Sequence, residues 1–118
     1  MSAVLLTGDL AFSSKLVAAA ARRGWKLDLA MSPAALDAHR TEGVRLVLID
    51  LSMSAVDPAT IVEKLQGWSP PPDIVAFGPH VQEARLAAAR EAGCDLVVSR
   101  GHMNAQAEEI LSRYLNIS

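Results

Sequence analysis

The stretch Leu46-Val47-Leu48-Ile49-Asp50-Leu51-Ser52-Met53 begins with four consecutive apolar residues and turns polar at an aspartate. A short apolar run of this kind, bounded by a polar residue, is typical of a strand that is buried on both of its faces. Such strands belong to parallel sheets that are covered by helices on each side. The stretch therefore predicts a central β-strand that ends at Asp50.

Further strand candidates lie on both sides of this stretch. Three short apolar runs, rich in branched residues and bounded by Gly, Asp or Pro, have the same form: residues 3–6, 74–77 and 96–98. We predict that each is another buried parallel strand. Residues 25–29, Trp-Lys-Leu-Asp-Leu, instead alternate apolar and polar side chains. Alternation is typical of a strand with one face or edge in water, so this segment predicts an edge strand.

Helix signals fill the segments between the strands. Gly24 follows a pattern with helical spacing, and glycine readily takes the left-handed conformation that ends a helix. Ser32-Pro33 and Asp57-Pro58 each place a capping side chain before a proline, which is tolerated at the first helical position. The prolines at 70–72 end the third helix, because proline disrupts helix interiors. Residues 103–114 have apolar side chains on one face and predict a single closing amphipathic helix.

The strict alternation of strands and helices indicates the fold class. Each helix that connects two parallel strands must pack back onto the sheet through a right-handed connection. We therefore predict an α/β fold of three layers, α-β-α, around a five-stranded parallel sheet of order 2-1-3-4-5, the flavodoxin-like arrangement. The chain of 118 residues has no linker, repeat or low-complexity tract, so we expect residues 1–118 to form one domain.

Composition and charge exclude several classes of function. The net charge is −2 and the arginines are scattered, so we expect no nucleic-acid partner. No apolar run approaches the roughly 20 residues that span a bilayer, and the start of the chain has no basic leader, so we expect no membrane association. The lone cysteine, Cys94, suits a small buried residue better than a nucleophile. These features predict a soluble, cytoplasmic protein.

A site in this fold class lies in the loops at the carboxyl ends of the strands. The segments expected there are Thr7-Gly8-Asp9, Ala30-Met31-Ser32, Asp50 to Ser54, Gly78-Pro79-His80 and Ser99-Arg100-Gly101-His102. These loops are where we predict a pocket. The histidines lack the paired spacing of metal ligands, so we expect no metal site at this edge and treat Asp9 and Asp50 only as weak candidates.

The spacing of these residues resembles that of the receiver domains of bacterial response regulators over residues 3–115. Residues 46–53 look like the family's third strand, which makes Asp50 the counterpart of the phosphate-accepting aspartate. Residues 78–100 are similar in spacing to the run from the family's switch threonine or serine to its invariant lysine. The resemblance therefore places Gly78 at the switch position and Arg100 at the lysine. With Asp50 and the nearby Asp9, these residues form the candidate pocket that the resemblance implies.

The chain departs from the family at residues that perform its chemistry. The acidic pair that holds a divalent cation in the family is replaced by Thr7 and Gly8, and Asp9 follows one residue later. Gly78 has no hydroxyl to bind a phosphoryl oxygen, and Val97 stands where many receivers have an aromatic residue. The resemblance therefore implies a degenerate receiver, or pseudo-receiver.

Arg100 is the departure that suggests what replaces the lost chemistry. Arginine keeps the positive charge of the family's lysine but not its compact ammonium group, so the two are not equivalent. We expect Arg100 to pair with Asp50. The leading hypothesis is a non-enzymatic signal-transduction domain that needs no cofactor and binds another signalling protein, or a second copy of itself, independently of phosphorylation.

The resemblance implies an interface made of helix four, strand five and helix five. Helix four offers a mixed-charge surface for it, built from Gln82, Glu83, Arg85, Arg90 and Glu91. The identity of the partner and the signal stay open at this point.

Two alternatives remain open from the sequence. In the first, Asp9, Asp50 and Arg100 rebuild an active receiver, which would require Mg²⁺ and a phosphodonor. In the second, the glycine-lined loops and His80 form a small-ligand site in the same crevice. A direct contact between Asp50 and Arg100 weighs against the first, and a deep apolar pocket favours the second.

Overall fold

The computed structural model describes residues 2–41 and 43–115; residues 1, 42 and 116–118 of the predicted domain lie outside the described residues. The chain forms a five-stranded sheet of order β2-β1-β3-β4-β5, and every neighbouring pair is parallel. This confirms the predicted fold class and strand order. The strands are β1 Ser2–Leu6, β2 Lys26–Ala30, β3 Leu46–Asp50, β4 Asp73–Gly78 and β5 Leu96–Ser99.

Helices connect the strands and cover both faces of the sheet. Their predicted ends are confirmed by capping contacts: Ser32 Oγ accepts a hydrogen bond from the Ala35 amide, and Gly24 takes a φ of 77° just after the first helix. The helices are α1 Leu10–Arg22, α2 Pro33–Asp37, α3 Pro58–Gln66, α4 Glu83–Ala92, α5 Arg100–Ala105 and α6 Ala107–Leu115.

The sheet separates two apolar cores, one against each layer of helices. Along β3, Val47 and Ile49 pack into the core beneath α2, α3 and α4, whereas Leu46 and Leu48 pack into the core beneath α1, α5 and α6. Both faces of β3 are therefore dry, which explains why residues 46–49 form a continuous apolar run. This burial fixes the strand whose last residue is Asp50.

The closing helix differs from its prediction as one continuous helix. It is divided into α5 and α6 at Gln106, whose φ of −117° and ψ of 22° are not helical. The Gln106 amide still donates to the His102 carbonyl, and the Ile110 amide donates to the Gln106 carbonyl. Hydrogen bonding thus continues across the bend, so the apolar residues keep one face and their spacing gives no sign of the break.

The fifth strand is less buried than predicted. All four residues of β5 are only half-buried, because β5 is an edge strand that pairs with β4. An apolar run of four residues does not distinguish a central strand from an edge strand that is shielded by helices. The edge position leaves part of β5 facing solvent beside α4 and α5.

Cys94 and the length of the helices bear on two further predictions. Cys94 is half-buried, and burial raises the pKa of its thiol to about 11, so the reactive thiolate is scarce at neutral pH. Among residues 2–41 and 43–115, no helix is long and apolar enough to cross a bilayer.

Candidate functional site

A cleft of about 440 Å³ opens at the carboxyl edge of the sheet, where the sequence predicted a pocket. The structure brings three of the four predicted residues, Asp9, Asp50 and Arg100, together in it. Its lining consists of Gly8, Asp9, Asp50, Ser52, Met53, Pro79 and Arg100.

Asp50 is the most buried polar group of this cleft, with 1% of its surface exposed. Its Oδ2 accepts a hydrogen bond of 2.6 Å from Thr7 Oγ1 and one of 3.5 Å from Arg100 Nη1. Its Oδ1 accepts from both the amide and the hydroxyl of Ser52, at 2.9 and 2.6 Å. Both oxygens of the carboxylate therefore already have partners within the chain, as buried charge requires.

Arg100 lies between the two carboxylates of the cleft. Its Nη2 donates to Asp9 Oδ2 and its Nη1 to Asp50 Oδ2, which confirms the expected contact with Asp50. The guanidinium carbon lies 4.6 Å from the ring centre of Phe12 and 6.0 Å from that of Phe77. A flat, delocalised cation can stack on aromatic rings and donate from several nitrogens at once, which lysine cannot do.

Asp9 also caps a helix, a role that the sequence analysis did not predict. Its Oδ1 accepts a hydrogen bond of 3.0 Å from the Phe12 amide and so caps the N-terminus of α1. This bond, followed by the charge of Arg100, lowers the pKa of Asp9. The stability that the ionised form adds is present at neutral pH and is lost as the pH falls through that lowered pKa. The preference of aspartate for the residue before a helix was the signal available.

Thr7 occupies the position where the resemblance expects an acidic residue. It is fully buried, donates to Asp50, and accepts a hydrogen bond of 3.1 Å from the Asp9 amide. A threonine hydroxyl can satisfy both groups without adding charge. Thr7 is therefore part of the hydrogen-bond network around Asp50 and adds no charge to the cleft.

Gly78 is the predicted site residue that the structure leaves out of the cleft lining. It is buried, and a Cβ placed on it would lie 3.1 Å from Leu51 Cβ and 3.7 Å from Leu86 Cδ2. A side chain at this position would therefore press against Leu51. The next residue, Pro79, reaches the cleft instead.

Replacing Gly78 with threonine should therefore destabilise the domain by roughly 1–3 kcal/mol, because the new side chain overpacks against Leu51. Urea unfolding followed by circular dichroism measures the effect. Gly101→Thr is the matched control, since a Cβ at Gly101 meets nothing within 4 Å. Equal losses in the two variants would show that the packing at Gly78 is not tight.

Ser52 and Arg85 have contacts near the site that the sequence analysis did not predict. Ser52 follows Asp50 by two residues, the spacing at which an aspartate side chain commonly bonds a backbone amide in a turn. Arg85 was expected on the exposed surface of helix four. It is instead half-buried and donates hydrogen bonds to three backbone carbonyls of the loop after β3.

The donor set of the cleft does not fit a divalent cation. Magnesium prefers several oxygen ligands in near-octahedral geometry, but the carboxylates of Asp9 and Asp50 are both bonded to the Arg100 guanidinium. Across the described ranges, no three His, Cys, Asp or Glu side chains are grouped closely enough to hold a metal ion. His80 and His102 are both exposed. The positive charge at this site thus comes from the chain itself.

The chain is similar to known proteins in its structure. No protein-family model matches the chain, and no curated protein matches it significantly. A receiver domain protein from Methanospirillum hungatei superposes with a TM-score of 0.80 at 14% identity, over 95% of this chain and 90% of that chain. A two-component response regulator from Clostridium difficile gives 0.77 at 20% identity, over 99% of each chain.

A third solved structure is similar over nearly its whole length. It is the receiver domain of a sensor histidine kinase from Pseudomonas aeruginosa, with a magnesium ion coordinated in its active-site cleft. It superposes with a TM-score of 0.79 at 13% identity, over 98% of both chains. Taken with the strand order and the position of the cleft, these similarities show that the chain has the fold of the response-regulator receiver domains.

Proposed function

We propose that this chain is a receiver-fold signalling domain that works by binding a protein partner and does not depend on phosphorylation of Asp50. The single observation that carries the proposal is the engagement of both Asp50 oxygens by Thr7, Ser52 and Arg100. We also propose that the domain is non-enzymatic and cytoplasmic.

Phosphoryl transfer to Asp50 would need a free carboxylate oxygen and a divalent cation beside it. In such reactions the protein mainly positions the reactants and neutralises the charge that develops on the phosphoryl oxygens. Asp50 Oδ2 faces Thr7 and Arg100, and Asp50 Oδ1 is held by Ser52. An incoming phosphoryl group would have to break these bonds without the switch hydroxyl that Gly78 lacks. Both requirements oppose an active receiver.

Part of the surface beside the cleft suits a protein partner. β5 is half-exposed at the edge of the sheet, and α4 next to it exposes Glu83, Arg90 and Glu91. Val81, which precedes α4, is 75% exposed. A mixed-charge rim with some apolar surface is the usual composition of a non-obligate interface. We propose that this α4–β5–α5 face binds another signalling protein or a second copy, and sedimentation over a range of concentrations tells these partners apart.

A small-ligand function has less support from the cleft. Its charged groups, Asp9, Asp50 and Arg100, already satisfy one another, and Met53 and Pro79 are its larger apolar lining residues. A larger groove of about 1000 Å³ lies between α2 and α3, and there too opposite charges pair, with Lys64 Nζ 3.1 Å from Asp37 Oδ2. Neither groove has the enclosed apolar character of a typical small-molecule site.

The decisive experiment is intact-mass analysis after incubation with acetyl phosphate and Mg²⁺. We expect no phosphoryl adduct and no change in the tryptophan fluorescence on addition of beryllofluoride, because Asp50 is not free to react. Asp50→Asn, which keeps the shape and loses the nucleophile, is the control. A mass increase of one phosphoryl group in the wild type that is absent from Asp50→Asn would overturn the proposal.

A further inference from the structure

Arg85 makes an unusual set of contacts from the first turn of α4. Its Nε donates to the Leu51 carbonyl at 2.6 Å, and its Nη2 donates to the carbonyls of Met53 and Val56 at 3.2 and 2.5 Å. All three acceptors belong to the loop between β3 and α3. Arginine is suited to this because its rigid fork holds five donors, so one side chain fixes several carbonyls at once.

Apolar packing links the same two elements, because Leu51 and Leu86 belong to one buried core. Leu86, the next residue of α4, lies over Gly78 together with Leu51, the first residue of the loop. Leu86 is 7% exposed and Leu51 is 1% exposed. The start of α4 is therefore attached to this loop by both a polar and an apolar contact.

The same loop is also attached to the cleft. Ser52, which lies between two of the residues held by Arg85, donates its amide and hydroxyl hydrogens to Asp50 Oδ1. Hydrogen bonds from Ser52 to the Asp50 carboxylate and from Arg85 to the loop carbonyls are thus joined through the backbone of residues 51–56. Packed and hydrogen-bonded elements of this kind are the physical routes by which one site senses another.

We infer that Arg85 is the positioning residue that couples the Asp50 cleft to the surface of α4. It fixes the first turn of α4 on the loop after β3, so a change at Asp50 reaches α4 through it and a partner on α4 is felt at Asp50. The contacts of Arg85 replace a route through a switch hydroxyl, because Gly78 has no side chain that could donate a hydrogen bond. Its regulatory meaning rests on the proposed function, since α4 belongs to the proposed partner surface.

The test is a double-mutant cycle read by amide chemical shifts of the isolated, unphosphorylated domain. Asp50→Asn perturbs the cleft without changing its shape, and the shifts that it causes in the amides of α4 are measured in two backgrounds. We expect clear shifts in the wild-type background and shifts smaller by about threefold or more in the Arg85→Gln background. A residue that served only local stability would leave the two sets of shifts alike.

Controls keep the result interpretable. Arg90→Gln removes an exposed arginine from the same helix and should leave the α4 shifts caused by Asp50→Asn unchanged. If Arg85→Gln does not fold, Arg85→Lys, which keeps the charge but not the fork of donors, replaces it and should also reduce the shifts. Equal α4 shifts with and without Arg85, or no α4 shifts in the wild-type background, would overturn the inference. Because neither a phosphodonor nor a partner is present, this outcome is independent of the acetyl phosphate experiment.

Discussion

Replacing Arg100 with alanine is expected to destabilise the domain by roughly 2–4 kcal/mol. The variant leaves Asp50, a buried carboxylate, without its cation and removes the guanidinium from the rings of Phe12 and Phe77. Thr7 and Ser52 still donate to Asp50, so we expect a loss below the full cost of an unpaired buried charge. Urea or thermal unfolding at neutral pH measures the loss.

Adding Mg²⁺ should have the opposite effect on this variant and stabilise it. Without the guanidinium, Asp9 and Asp50 face one cleft as two carboxylates with no cation between them. Mg²⁺ should then raise the unfolding midpoint of Arg100→Ala, because a ligand that binds only the folded state stabilises it, and it should leave the wild-type midpoint unchanged. Arg90→Ala, at an exposed position of α4, is the matched control for loss of an arginine. A wild type that Mg²⁺ stabilises as strongly as the variant would contradict the role of Arg100 as the resident cation.

Phe77→Ala should cost roughly 3–5 kcal/mol, the largest loss that we expect from a single substitution near the site. The ring of Phe77 is fully buried in the core beneath α1, α5 and α6 and lies 5.0 Å from the ring of Phe12. Truncation to alanine leaves a cavity next to Arg100, which also loses one of its aromatic neighbours. Denaturant unfolding of the variant measures the free energy of this loss.

Phe77→Leu separates the two parts of that effect. Leucine fills most of the cavity but has no ring, so the variant should recover much of the stability while the aromatic contacts of Phe12 and Arg100 stay lost. A loss for Phe77→Ala no larger than for Phe77→Leu would mean that the core closes around the missing ring.

Much of this fold could be read from local patterns. The buried runs at residues 3–6, 46–49 and 74–77, the capping pairs before Pro33 and Pro58, and the left-handed Gly24 all depend on interactions within a few residues. Such local rules agree with the overall fold here, which is why strand order followed from the alternation of elements. Asp50, Asp9 and Arg100 were placed in one cleft for the same reason, since the loops after parallel strands meet at one edge.

Other features could not be predicted from the sequence, because they depend on distant parts of the chain. The half-exposure of β5 follows from its place at the edge of the sheet, and the bend at Gln106 leaves the apolar spacing unchanged. Arg85 has the sequence neighbourhood of a solvent-exposed helix residue, yet its partners are carbonyls of a loop 29 to 34 positions away in sequence. No local pattern encodes a hydrogen bond between such distant groups.

By itself, the sequence determined the α/β architecture, the edge of the sheet where a site lies, and the absence of the acidic pair and of the switch hydroxyl. Only the tertiary structure decided how the remaining groups are used. Thr7 closes one side of the Asp50 carboxylate, the Arg100 guanidinium joins Asp9 to Asp50, and Leu51 lies close to Gly78. The physical reason is that periodicity and capping act over one or two turns of chain, whereas the pairing of a buried charge depends on which distant side chains the packed core brings within hydrogen-bond reach.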